Sequence, residues 1–132
     1  MEFDYKNVDW KLVKEEWDKS PMWFNLIILH QGIRLYFKPG LDKSKRFKLN
    51  LWIDGYCKSE WLDAKHEYHK YLHQKVMYPP KKMIELERKF DPKMKKKTDK
   101  QVIEEKGMFV HNYGTTLFSN ISQIKKMVTA LD

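Results

Sequence analysis

The sequence predicts an α+β fold: an antiparallel sheet of three to four strands with about five helices, in the order α-β-β-β-α-α-α-β-α. Three observations carry this. Residues 33–38 and 46–53 alternate apolar and polar side chains, the period of a strand with one buried face. Turn-forming residues punctuate them, at His30-Gln31-Gly32 and throughout 39–45. The flanking segments carry apolar residues three and four apart, the period of a helix.

The elements follow in order. Trp10, Val13 and Trp17 mark a helix over residues 8–19, with Asn7 or Asp9 at its start and Ser20-Pro21 at its end. Residues 22–29 are almost wholly apolar and read as a central strand buried on both faces. The two alternating strands come next, with Asp54-Gly55 stopping the second. Ser59 opens a helix over 60–77, with Trp61, Ala64, Tyr68, Tyr71 and Leu72 as its apolar arc and Pro79-Pro80 beyond it. A short helix fits 81–90. Thr98-Asp99-Lys100-Gln101 has the form of a capping box, and Gly107 closes the helix it opens. Residues 108–111 form the last strand, and Asn112-Tyr113-Gly114-Thr115-Thr116 is an ordinary connection. Ser119 caps a final helix with the stripe Ile121, Ile124, Met127, Val128 and Leu131. No repeat or linker divides the chain, so residues 1–132 read as one compact domain.

The alternation places Ile33, Leu35, Phe37, Phe47, Leu49, Leu51 and Ile53 on one face of the central hairpin. Arg34, Tyr36, Lys38, Arg46, Lys48, Asn50 and Trp52 fall on the other. Cations interleaved with aromatics suit an anionic, stackable partner such as nucleic acid. Were a helix to cover this face, Tyr36 and Trp52 would instead be core residues and the cations would snorkel at the rim.

Charge supports the binding reading. The net charge is +8, and residues 21–58 hold seven cations against two acids. A second basic stretch, Lys93-Met94-Lys95-Lys96-Lys97, reads as a solvated connection whose Lys95, Lys96 and Lys97 are candidates for the phosphate backbone. Lys outnumbers Arg 23 to 3, which favours phosphate attraction over base reading. The same bias towards Lys, Asn, Ile, Tyr and Phe follows from AT-rich codons.

Other classes find less support. Three histidines, His66, His69 and His73, share one sector of the expected 60–77 helix and are the candidate ligands of a metal-dependent enzyme. No metal-binding signature is complete around them. No nucleophile elbow or nucleotide fingerprint is present, so no catalytic residue and no cofactor is assigned. The single Cys57 excludes an internal disulfide, and the acidic start Met1-Glu2-Phe3-Asp4 does not read as a leader. The expectation is a cytoplasmic protein without membrane association. Its expected role is a non-enzymatic accessory protein, of the kind phages and mobile elements carry, that binds nucleic acid or a nucleic-acid-processing complex. The alternative is a protein-binding inhibitor of a host nucleic-acid enzyme or defence nuclease, with Trp23, Tyr36 and Trp52 as anchors. Tryptophan-rich helices would also serve a homodimer.

Overall fold

The computed structural model describes all 132 residues. Its elements are β1 (Glu2–Asp4), α1 (Trp10–Lys19), β2 (Leu26–His30), β3 (Ile33–Leu41), β4 (Phe47–Ile53), β5 (His73–Met77), α2 (Lys81–Phe90), α3 (Asp99–Glu105), β6 (His111–Thr115), β7 (Leu117–Phe118) and α4 (Ile121–Thr129). The fold is mixed α+β, as expected, but with four α-helices and a larger sheet. Five strands run in the order β1-β2-β3-β4-β7, and β5 and β6 form a separate ribbon. No helix is long and apolar enough to cross a membrane. Where the sequence reads as one domain, the contacts gather into two compact units. Unit 1 comprises residues 1–74 and 114–132, and unit 2 comprises residues 75–113.

In unit 1 the β2–β3 connection is a two-residue turn with Gln31 at φ 48° and Gly32 at φ 81°. Paired positive φ angles match the twist of a tight hairpin. The register sets Tyr36 opposite Ile27 on one side and Trp52 on the other. Leu26, Ile28, Leu35, Phe37, Leu49, Leu51 and Ile53 point inward and are buried. Val13 of α1 and Ile121, Ile124, Met127 and Val128 of α4 pack in the same core. Asp9 caps α1, its Oδ1 accepting the Leu12 N–H at 3.1 Å.

Several expectations are corrected. The sheet is mixed, because β1 runs parallel to β2 with Phe3 beside Ile28. Three residues are too short to show a period, and this strand was not expected. The 22–29 segment is not a strand buried on both faces. Pro21–Trp23 form a 3-10 turn, and along β2 only Leu26, Ile28 and His30 are buried. The expected loop at 39–41 continues β3. Pairing with β2 ends at Phe37, so this stretch has a strand on one side only, where proline is tolerated.

The 60–77 helix does not form. Ser59–Leu62 and Glu67–Tyr71 are 3-10 turns, and β5 follows. Spacing of three, as in Tyr68 to Tyr71 and His69 to Leu72, is the 3-10 period, and at this length it mimics a helical one. The last strands also move. Residues 111–115 form β6, not a loop, and Gly114 there is buried. A Cβ on Gly114 would stand 2.7 Å from His69 Cε1. Asn120, not Ser119, caps α4, accepting the Gln123 N–H at 3.0 Å.

In unit 2 both helices fall where the sequence places them. The capping box is complete: Thr98 Oγ1 accepts the Gln101 N–H at 3.3 Å, and Gln101 Oε1 accepts the Thr98 N–H at 3.0 Å. The stretch 93–97 is not a free connection. Pro92–Met94 form a 3-10 turn, and Met94 is buried with Ile84, Val102 and Ile103.

Candidate nucleic-acid interface

The outward face of the five-stranded sheet is built by the pleat. Directly opposed residues on antiparallel strands share a face, so Ile27, Tyr36 and Trp52 form one row across β2, β3 and β4. Lys38 and Asn50 form the next row, with Leu117 of β7 beyond Asn50. Arg34 lies two residues from Tyr36, about 7 Å along the strand. None of these side chains belongs to the core that α1 and α4 complete. Tyr36 and Trp52 are half-buried, and Arg34 and Lys38 are exposed.

The predicted site residues divide into three groups. Arg34, Tyr36, Lys38 and Trp52 come together as expected, and none of the three cations Arg34, Lys38 and Arg46 is in an ion pair. Arg46 and Lys48 sit towards the hairpin tip. Arg46 is exposed there with Lys43 and Lys45. Lys48 is tied down: its Nζ donates to Ser119 Oγ at 3.0 Å and lies 4.0 Å from Asp42. Lys95, Lys96 and Lys97 belong to unit 2. Lys95 and Lys96 are exposed, whereas Lys97 pairs with Glu105.

Acids are few on the β3–β4 half. Asp42 is absorbed by the turn, its Oδ1 accepting the N–H groups of Ser44 at 2.8 Å and Arg46 at 2.9 Å. The Arg46 N–H above all, with the Ser44 N–H and the nearby Lys48 charge, holds its carboxyl below the usual carboxylate range. The unexpected strand β1 adds an acidic edge, since Glu2 and Asp4 lie beside the outward Ile27 and Leu29. The face therefore grades from acidic at β1 to cationic and aromatic at β3 and β4.

One feature of the face was not legible in advance. Asn25, Ile27, Arg34, Tyr36, Asp54 and Gly55 line a depression of about 500 Å³, within the usual range for small-ligand sites. Asp54 is held in place by two bonds to Arg34: its Oδ1 accepts the Arg34 N–H and its N–H donates to the Arg34 carbonyl, both at 2.9 Å. Ile27 and Tyr36 supply apolar wall, while Asn25, Arg34 and Asp54 supply donors and acceptors.

The histidine row is also corrected, since its helix is absent. His66 Nδ1 accepts the Tyr68 N–H at 3.0 Å. His69 Nδ1 donates to the Trp61 carbonyl at 2.9 Å. His73 lies on β5 with its ring 5.4 Å from that of Phe118. No group of three His, Cys, Asp or Glu side chains is arranged to hold a metal ion. A fourth histidine, His30, is buried: its Nε2 donates to the main-chain oxygen of Asp132 at 2.9 Å, and its Nδ1 lies 2.6 Å from the Tyr71 hydroxyl. No protein-family model matches this chain, and no curated protein or solved structure matches it either.

Proposed function

We propose that this protein is a non-enzymatic accessory protein that binds single-stranded nucleic acid along the outward face of the β3–β4 hairpin. The carrying observation is the side-by-side placement of Tyr36 and Trp52 between the unpaired cations Arg34 and Lys38. An aromatic on an open sheet can offer its ring to a base that has left its stack, and such stacking is worth about 1–3 kcal/mol per base. Bases within a duplex stay stacked on each other, so the single strand is favoured. The depression beside Tyr36 has room for one base, with Asn25, Arg34 and Asp54 at its polar edge. The phosphate backbone then follows Lys38 towards Lys43, Lys45 and Arg46 at the tip.

Titration of labelled single-stranded and duplex oligonucleotides across a salt series tests this reading. The single strand should bind more tightly. Arg34→Gln with Lys38→Gln should weaken it and make the slope of log K against log salt shallower by about 1.4, the release of counterions from two phosphates. Equal affinity of the double variant at every salt concentration would remove the proposal.

A second reading, a protein antagonist of a nucleic-acid enzyme, is favoured by Trp23, which is 82% exposed on the 3-10 turn beside Met22. A pull-down with and without nuclease treatment separates the two. Recovery of one defined polypeptide regardless of nuclease would support the antagonist.

A further inference from the structure

Unit 2 leaves several large apolar side chains outside its core. Four hydrophobic residues are buried there, while Tyr78 is 61%, Met83 52% and Phe109 78% exposed. These exposed residues are not scattered. Met77, Tyr78, Pro80, Met83, Met108 and Phe109 line one groove of about 680 Å³. Contiguous exposed apolar surface of this kind marks an interaction site. Phe109 stiffens one wall, its ring stacking on His111 at 6.0 Å, and His111 in turn stacks on Tyr113 at 5.9 Å. The three methionines Met77, Met83 and Met108 make the lining adaptable to different apolar side chains.

Charge identifies what fits. Tyr78 and Pro79 also line an adjoining depression of about 320 Å³ that includes Lys81 and Lys100. The N-terminus of α2 opens at this end. Its N-cap, Pro80, provides no side-chain cap, and its first turn holds no acid and instead carries Lys81 and Lys82. Free N–H groups, the helix dipole, Lys81 and Lys100 therefore concentrate positive charge at this end, where carboxylates are normally found. The one acid at the adjoining depression, Asp99, is held by Arg88 at 2.5 Å. Glu87 and His111 also line the groove, and Glu87 lies further along α2 from Lys81.

We infer that this groove binds an acidic amphipathic peptide helix of a partner protein. Apolar side chains at i, i+3 or i+4, and i+7 enter the methionine-lined groove, and the carboxylates of one end meet Lys81, Lys100 and the α2 N-terminus. Glu87 sets the direction, since it disfavours an acidic end at its side. This site is independent of the sheet face. Together they would join a protein partner to a nucleic acid.

The test uses the full chain and three fluorescein-labelled synthetic peptides of one helical pattern. One has leucines on one face with glutamates at one end, the second has lysines in place of those glutamates, and the third has serines in place of the leucines. The first should bind, and the other two at least tenfold more weakly. Met83→Glu should weaken the first peptide at least tenfold. Lys81→Glu with Lys100→Glu should do the same and strengthen the lysine peptide. Both positions lie in the first turn of a helix, where acids are favoured, so this double variant does not act by unfolding α2 or α3. Arg34→Gln with Lys38→Gln should leave peptide affinity unchanged, which keeps failure here distinct from failure at the sheet face. Equal binding of the acidic and basic peptides, or no binding of any, would overturn the inference. So would a concentration-dependent dimer that Met83→Glu abolishes, which would make a second copy the occupant.

Discussion

In unit 1, seventeen buried hydrophobic residues make one continuous cluster between the sheet and the helices, whereas in unit 2 four do. Ion pairs run the other way. Unit 2 holds the close ones: Arg88 reaches Glu85 at 2.6 Å, Asp99 at 2.5 Å and the Lys97 carbonyl at 2.8 Å, and Lys106 reaches Asp91 at 2.6 Å. The Lys106 bond above all, with the Lys93 N–H, holds the Asp91 carboxyl below its ordinary range. The pairs of unit 1, such as Lys14–Asp18 at 3.6 Å and Lys58–Glu60 at 3.9 Å, are longer. Unit 1 is thus held by removing much apolar surface from water, while unit 2 buries less and adds close ion pairs and the α3 cap. The difference bears on the two proposals: the proposed nucleic-acid face of unit 1 overlies a continuous core, and the proposed peptide groove of unit 2 is lined by apolar surface left outside its own core.

The largest expected effect tests the first half of the comparison. Leu51 is fully buried on β4 beneath the Tyr36–Trp52 row. Leu51→Ala should cost about 2–5 kcal/mol, the transfer term plus the cavity term. All five tryptophans lie in unit 1, so tryptophan fluorescence during denaturant unfolding reads this unit directly. A loss well under 1 kcal/mol would mean the sheet is not the stabilising base described.

The next effect comes from Tyr71, buried in the same core with its hydroxyl 2.6 Å from His30 Nδ1. Burial above all, with the adjacent Tyr68 and the charges of Glu67 and Asp54, pushes its pKa from 10.0 up to about 12. The folded state then keeps a proton that the unfolded chain releases near pH 10. The stabilisation is complete below pH 10 and is lost as pH rises to about 12, on the order of 2 kcal/mol. Tyr71→Phe should flatten this alkaline limb of the fluorescence-detected stability profile. An unchanged limb in the variant would assign the loss to other groups.

How much of this was readable in advance depended on which period the residues obeyed. The hairpin faces were legible because Leu35, Phe37, Leu49 and Leu51 alternate without a break against Tyr36, Lys38, Asn50 and Trp52. The helices of unit 2 were legible because Pro80, Thr98-Gln101 and Gly107 mark ends by local chemistry alone. The 60–77 stretch was not, since residues three apart satisfy a 3-10 turn as well as a helix, and only tertiary packing of Trp61, Tyr71 and Leu72 decides between them. The sheet-face depression was hidden for another reason. Asn25, Arg34 and Asp54 come from separate elements, and only the strand register brings them together. Met94 shows the converse error. A run of lysines reads as solvated, yet the one apolar residue inside it anchors the segment in the unit 2 core.

The smallest effect tests the second half of the comparison. If unit 2, with its small core, leans on the α3 cap, losing that cap should be felt there and nowhere else. Thr98→Ala removes the hydroxyl that accepts the Gln101 N–H and with it one half of the reciprocal pair at the start of α3. The expected cost is about 1 kcal/mol. Amide hydrogen exchange reads it locally: protection across α3 should fall about fivefold, while β3 and β4 amides and the fluorescence midpoint stay fixed. The converse variant sharpens the point, since Thr98→Ser keeps the accepting oxygen and should keep most of the protection. If Thr98→Ala lowers protection equally in α3 and in the sheet, the two units unfold as one. The contrast between the well-buried unit and the thinly buried one would then be a difference of composition and not of stability.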